Sequence, residues 1–308
     1  MKSWLAAARP RTLPLALASI ILGSFLAARA GQFSWRIAVL ASLTTIFLQI
    51  LSNFANDYGD AVSGKDTAER VGPRRAVATG LITKEAMFRG IVVTSLLSLI
   101  TGIWLLIDAF QHASAQIFWA FLGLGLACIA AAIAYTNGKR PYGYSGFGDI
   151  AVLLFFGWVG VLGTYFLHTL EFRPLLLLPA TSVGLFATGV LNINNIRDIE
   201  TDAKTGKNSI PVRLGRARAV RYHWGLLIGG MVCALLFSLL ERLSWSEVPA
   251  NSFLQGLYVL AFPLFIINGL AVARHRNPGE LNPRLGQLAM STLLFVLLWG
   301  TALAVVGN

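Results

Sequence analysis

Residues 36–60 read RIAVLASLTTIFLQILSNFANDYGD, a long apolar run that becomes polar only towards its end. The apolar part is about 20 residues long, the length that a helix needs to cross roughly 30 Å of hydrocarbon. Similar runs recur along the whole chain. Because irregular backbone cannot satisfy its hydrogen bonds in lipid, the pattern predicts membrane-spanning helices.

The composition agrees with a membrane protein. Of the 308 residues, 56% are hydrophobic and only 13% are charged, whereas about 25% charged residues is usual in soluble domains. The net charge of +11 suggests nucleic acid at first, but the basic residues lie between the apolar runs rather than along a soluble face, so we expect no nucleic-acid partner. We predict an all-α integral membrane bundle forming a single domain, residues 1–308, surrounded by membrane lipid.

Nine spans are predicted from the apolar runs. The first run resembles a signal peptide, because Ala28-Arg29-Ala30 follows it, but we expect it to be retained as the first helix. Polar loops are expected at about 57–87 and 197–221. The predicted spans are 13–30, 36–56, 88–108, 116–136, 148–167, 174–196, 222–240, 252–273 and 286–306.

The basic residues are divided unevenly between the two faces that nine spans define. The N-terminus and the loops after spans two, four, six and eight hold 21 of the 25 Lys and Arg residues. Basic loops stay cytoplasmic, so we predict a cytoplasmic N-terminus and the C-terminus on the opposite side of the membrane. Ten of the 14 acidic residues lie on the basic face too. Since acids contribute little to topology, they need another explanation.

The second span ends in a polar stripe. It consists of Gln49, Asn53, Asn56 and Asp60, with Asp57 beside it. At about 100° per residue, the four stripe positions fall within roughly 60° of one another on a helix. The stripe therefore continues from inside the span to its cytoplasmic end.

The sixth span ends in the same way. Asn195, Asp198 and Asp202 share one helix face, and Asn192 stands one turn above them. Each stripe contains Asn-x-x-Asn, then acids, then a Gly-Lys pair ending in Lys65 or Lys207. The spacing of four spans suggests two four-helix halves plus one helix, with two carboxylate pairs facing each other across the bundle.

Gathered carboxylates near hydrocarbon predict a cation site. Like charges repel one another unless a cation neutralises them, and Mg²⁺ combines a few carboxylates with phosphate oxygens and water. The stripes therefore predict a cradle for a metal-bridged diphosphate. Arg74 and Arg75 are interpreted as topogenic or lipid-facing. The basic residues expected to meet the diphosphate are Lys139, Arg140, Lys207 and Arg213.

These motifs resemble the two Asp-rich motifs of the UbiA superfamily of intramembrane prenyltransferases. The resemblance rests on Asn56-Asp57-x-x-Asp60 and Asp198-x-x-x-Asp202 at the cytoplasmic ends of helices, and it extends over the whole chain. Residues 9–14, 49–60, 140–149 and 192–202 look more specifically like the branch that prenylates 1,4-dihydroxy-2-naphthoate.

The resemblance implies an activity and roles for individual residues. Mg²⁺ would bind a polyprenyl diphosphate, and 1,4-dihydroxy-2-naphthoate would accept the prenyl group with loss of diphosphate and CO₂, on the way to demethylmenaquinone. The resemblance also implies a location in the bacterial inner membrane. Asp149 would be a structural or acceptor-side residue. The expected metal ligands are Asp57, Asp60, Asp198 and Asp202, assisted by Asn53, Asn56, Asn192 and Asn195.

One position departs from the family pattern. The first motif usually continues with a third Asp four residues after the second, and here that residue is Gly64. Asp66 could replace it as a metal ligand only if the helix breaks near Gly64, because on a continuous helix it points roughly 240° away from Asp60.

Two alternative functions stay open at this point. Within the same enzyme class, the acceptor could be 4-hydroxybenzoate or haem. From another class, a cation-coupled transporter also uses intramembrane polar residues in paired halves, but it would place its charges near mid-membrane. Acids gathered at one face favour the enzyme. The sequence does not predict an oligomeric state.

Overall fold

A computed structural model describes residues 2–66, 71–243 and 252–306, so residues 67–70 of the predicted loop at 57–87 lie outside the described residues. The described part contains nine helices long and apolar enough to cross a membrane, and no β-strand, which confirms the predicted fold class. The α-helices are α1 Lys2–Ala8, α2 Leu13–Arg29, α3 Trp35–Val62, α4 Lys84–Ala109, α5 Ala115–Ala134, α6 Gly148–Val152, α7 Gly163–Thr169, α8 Leu177–Arg197, α9 Ile199–Lys204, α10 Ile210–Leu214, α11 Arg216–Leu243, α12 Phe262–Arg274 and α13 Asn282–Val306.

The fifth span is not a uniform α-helix. A π-helix, Leu153–Leu162, joins α6 to α7. Its Gly157 packs against α8 so closely that a Cβ atom there would lie 2.6 Å from the Ala180 carbonyl oxygen. Glycine is therefore needed for the fifth and sixth spans to touch.

The core lies mainly where α2, α8, α11, α12 and α13 pack together. The Phe186 ring of α8 stacks on the Phe265 ring of α12 with centroids 4.0 Å apart, and Phe295 of α13 meets both rings edge-on. Offset and edge-to-face pairs of this kind add to the packing energy of buried aromatic area. The division into two four-helix halves stays a prediction.

Contacts between helix ends and loops show which segments lie at each end of the bundle. At one end, Lys65 after α3 donates to the Thr205 carbonyl oxygen after α9, and Arg197 of α8 donates to Asn282 of α13 at 2.9 Å. At the other end, Arg36 of α3 pairs with Asp108 of α4 at 3.4 Å. The loops after even-numbered spans thus share one face, as the nine-span reading requires.

Candidate active site

A cavity of about 470 Å³, called the chamber below, lies inside the bundle. Its wall is mostly apolar and includes Leu48, Phe121, Phe156 and Leu167. Such a cavity suits an amphiphile with a charged head and an apolar tail. The sequence-predicted site residues that line it are Asn53, Asn56, Asp60, Asn195, Asp198, Asp202 and Lys207.

Asp60 is the centre of the charged network. Its side chain is 1% exposed, and both of its oxygens meet cations. Oδ2 pairs with Arg75, and Oδ1 lies 3.1 Å from the ammonium of Lys207. The Tyr144 hydroxyl also donates to Oδ1. A buried carboxylate persists only with such partners.

Lys207 joins the two predicted motifs. Its ammonium lies 3.1 Å from Asp60 Oδ1 and 3.8 Å from Asp202 Oδ1, and 5.0 Å from the centre of the Tyr144 ring. The ends of spans two and six therefore lie on either side of the Lys207 ammonium, which contacts a carboxylate from each.

Asp198 is held by its sequence neighbour. Arg197 grips it with two bonds, Nε to Oδ1 at 2.8 Å and Nη2 to Oδ2 at 2.6 Å. The same guanidinium donates to Asn194 at 2.8 Å and to Asn282 at 2.9 Å. With Arg197 only 3% exposed, this fork fixes the carboxylate at the edge of the chamber.

The interpretation of Arg75 as topogenic or lipid-facing was wrong. Arg75 is 7% exposed, pairs with Asp60 and lines the chamber. Arg74, its neighbour, is exposed. The loop after α3 turns one of two adjacent arginines inward, which the sequence pattern of a basic loop does not reveal.

Asp57 has a different environment from Asp60. Its two oxygens accept the backbone N–H groups of Ala76 at 3.0 Å and Val77 at 3.1 Å, and it does not line the chamber. The carboxylate thus anchors the inward-turning loop that presents Arg75.

Helix α3 does break where the departure from the family pattern occurs. It ends at Val62, and Gly64 adopts φ 68°, a conformation that favours glycine. Asp66 then lies 3.8 Å from Nε of Arg75, beside the Asp60 network.

The remaining predicted residues lie outside the chamber lining. Asn192 donates to the Ala219 carbonyl oxygen at 3.2 Å, and Asp149 accepts from the Tyr222 hydroxyl at 3.0 Å. Arg213 donates to the carbonyl oxygens of Asn208 and Ser145, at 3.1 and 2.6 Å. These contacts hold helices and loops together. Lys139 and Arg140 are exposed.

The donor chemistry at the polar end fits Mg²⁺, which prefers carboxylate oxygens. In the described ranges, no three His, Cys, Asp or Glu side chains converge closely enough to hold a metal ion. Lys207 nevertheless shows that a positive charge is accommodated between Asp60 and Asp202.

Tyr144 is a residue that sequence reasoning missed. Burial, followed by the nearby charge of Asp60, raises the pKa of its phenol above the usual value. The phenol therefore stays protonated, so it keeps donating to Asp60 through neutral and mildly alkaline pH.

We expect Tyr144→Phe to lower the activity of the site about tenfold, since it removes one hydrogen bond to a charged group, worth about 1.5–3 kcal/mol. The ratio of wild-type to variant rates should stay constant from pH 7 to pH 9, measured as a pH–rate profile. A ratio that falls as the pH rises would mean that the phenol ionises within this range. Tyr222→Phe, which removes a phenol that contacts Asp149 outside the chamber, is the matched control.

Known proteins resemble this chain over nearly its whole length. A model of the "UbiA prenyltransferase family" matches residues 16–278. The chain is 45% identical to a 1,4-dihydroxy-2-naphthoate octaprenyltransferase of Haemophilus influenzae, covering 99% of this chain and 96% of that protein. It is 46% identical to the protein of the same name from Escherichia coli, covering 97% and 94%.

Two solved structures share the fold. A UbiA homolog from Aeropyrum pernix K1 aligns with a TM-score of 0.67 at 15% identity, covering 96% of both chains. A UbiA homolog from Archaeoglobus fulgidus bound to GPP and Mg²⁺ aligns with a TM-score of 0.62 at 18% identity, covering 99% of this chain and 100% of that one.

Proposed function

This chain belongs to the UbiA prenyltransferase family, and from that premise we propose that it transfers a polyprenyl group to 1,4-dihydroxy-2-naphthoate. The bond between the allylic carbon and the diphosphate oxygen breaks, a ring carbon forms the new carbon–carbon bond, and the ring carboxyl leaves as CO₂. The observation that carries the proposal is a chamber with charged side chains at one end and an apolar wall along the rest.

The charged end supports binding of the diphosphate. Lys207 and Arg75 line the chamber beside Asp60 and can neutralise phosphate oxygens. Asp60, Asp198 and Asp202, with Asn56 and Asn195, would hold Mg²⁺, and Asp66 is a further candidate beside Arg75. Bound there, Mg²⁺ would neutralise charge that develops on the leaving diphosphate. We assign Asp57 to holding the loop that carries Arg75.

The apolar wall of the chamber suits the polyprenyl tail and the allylic cation. An allylic cation is short-lived in water, so it needs a water-excluding wall. The tail of a polyprenyl diphosphate is itself lipid-soluble and can lie along Leu48, Phe121 and Leu167. Tyr135, Tyr142 and Phe155 line the same chamber and offer ring faces to an aromatic acceptor or to a cation.

The topology supports a multi-pass protein of the bacterial inner membrane. We propose that the N-terminus and the charged end of the chamber are cytoplasmic and that the C-terminus lies on the opposite side, because the basic loops gather at the chamber end. A transporter is not favoured, since the chamber carboxylates lie at helix ends on one face.

The test uses membranes that contain the chain, a labelled polyprenyl diphosphate and carboxyl-labelled 1,4-dihydroxy-2-naphthoate. We expect Mg²⁺-dependent transfer of the prenyl label to a lipid product, with release of labelled CO₂ and no transfer in EDTA. 4-Hydroxybenzoate serves as the competing acceptor. Equal or faster transfer to 4-hydroxybenzoate, or full activity in EDTA, would sink the assignment.

A further inference from the structure

A second cavity of about 340 Å³, called the basic cavity here, lies beside the charged end of the chamber. Within the described part of the chain, Asp57 is the only acidic side chain that lines it. Both oxygens of Asp57 already accept backbone N–H groups. Of the arginines that the structure describes, five line the cavity, namely Arg9, Arg11, Arg74, Arg75 and Arg197.

The arginines form a graded series from the surface inward. Arg11 and Arg74 are exposed, whereas Arg75 is 7% and Arg197 is 3% exposed. Arg75 lines both the basic cavity and the chamber, as do Arg9 and Asn194. The basic cavity therefore shares a wall with the chamber and lies between an exposed basic rim and the place where the diphosphate is proposed to bind.

Arg75 also has a donor that points to a ligand. Its side chain is 8% exposed, its Nη2 pairs with Asp60, and its Nε lies 3.8 Å from Asp66. Its Nη1 is buried and has no hydrogen-bond partner among the described residues. A buried charged donor without a partner is costly, so an oxyanion at this atom would be stabilising.

The residues that line the basic cavity favour a phosphate compound over an aromatic acid. Among the described residues, no aromatic side chain lines the basic cavity, whereas Tyr135, Tyr142 and Phe155 line the chamber. An aromatic acid therefore fits the chamber better. The Arg197 fork is already engaged by Asp198 and Asn194. The exposed guanidiniums of Arg11 and Arg74, together with the buried Nη1 of Arg75, suit a small, multiply charged phosphate compound, since a guanidinium can bind two phosphate oxygens.

We propose that the basic cavity is an exit site that binds inorganic diphosphate after it leaves the chamber. The proposal rests on the proposed function, which makes diphosphate a product that must return to water from beside Arg75. The phosphate group of an anionic lipid has the same chemistry, and the experiment below separates the two sources.

The test measures diphosphate binding without metal, so that Mg²⁺ cannot hold it in the chamber. Full-length protein in phosphatidylcholine nanodiscs is titrated with inorganic diphosphate in EDTA by calorimetry. We expect the wild type to bind. The Arg11→Gln/Arg74→Gln double variant should have an affinity at least about tenfold lower, because it loses one or two charge-assisted contacts. These two side chains are exposed, so the variant should fold.

The controls fix the location and the source of the anion. The Arg216→Gln/Arg218→Gln double variant removes two positive charges from the same predicted face, but neither residue lines either cavity, so it should bind as the wild type does. Three results would overturn the proposal: no binding by the wild type, equal binding by the Arg11→Gln/Arg74→Gln variant, or displacement of diphosphate by phosphatidylglycerol in the nanodisc. Prenyl transfer by the same preparations is assayed separately, so a failed exit site and a failed enzyme assignment are distinguishable.

Discussion

Asp60→Asn should lower the rate of prenyl transfer by about 100- to 1000-fold, the usual effect of removing one preorganised electrostatic group at a reacting centre. The substitution keeps the shape of the side chain but removes the negative charge that Arg75, Lys207 and Tyr144 share. We expect kcat to fall far more than the amount of folded protein, measured by turnover and by size-exclusion chromatography in detergent.

Asp57→Asn separates the two acids of the first motif. An Asn there retains one acceptor oxygen for the backbone of Ala76 or Val77, and it lies outside the chamber lining. Its effect on kcat should therefore be clearly smaller than that of Asp60→Asn. Asp108→Asn, at the opposite end of the bundle, is the matched control and should be nearly silent. Equal losses at Asp57 and Asp60 would contradict the separate roles given to them.

Arg197→Leu should have the largest effect on stability. It would leave Asp198, whose side chain is 5% exposed, without its two-bond partner. Removing one member of a buried ion pair typically lowers the free energy of unfolding by about 3–5 kcal/mol. A drop in the midpoint of thermal unfolding in detergent is the measurement.

The double variant Arg197→Leu/Asp198→Leu is the diagnostic control for stability. It removes both charges, and apolar replacements of a buried pair are often neutral, so much of the lost stability should return although the chamber loses a carboxylate. Arg36→Leu, from a pair with an 83% exposed arginine, should cost little. If the double variant were as unstable as Arg197→Leu, the unpaired charge would not be the cause.

The spans and the two polar stripes were predictable because both depend on local periodicity. The length of an apolar run gives a span, and a 100° step per residue places Asn56 with Asp60 and Asp198 with Asp202. Lys207 was found in the same way, from the Gly-Lys pair that follows each stripe. These features need no knowledge of how distant segments meet.

The partners of the carboxylates were not predictable because they depend on loop paths and helix ends. Arg75 reaches Asp60 only because Asp57 binds the backbone of the intervening loop. Arg197 and Asp198 are adjacent, so on a continuous helix their side chains would diverge by about 100°. Helix α8 ends at Arg197, and Asp198 leaves helical geometry with ψ 10°, which lets the two side chains meet.

The position of Lys207 between Asp60 and Asp202 has a consequence for assembly of the protein. A lysine on the same chain acts as a tethered counterion, so the two acidic helix ends attract rather than repel each other while the bundle forms in the membrane. The chain can therefore complete its tertiary structure before it meets a divalent cation. With the Mg²⁺ requirement proposed above, we expect a chelator to stop prenyl transfer reversibly without unfolding the protein.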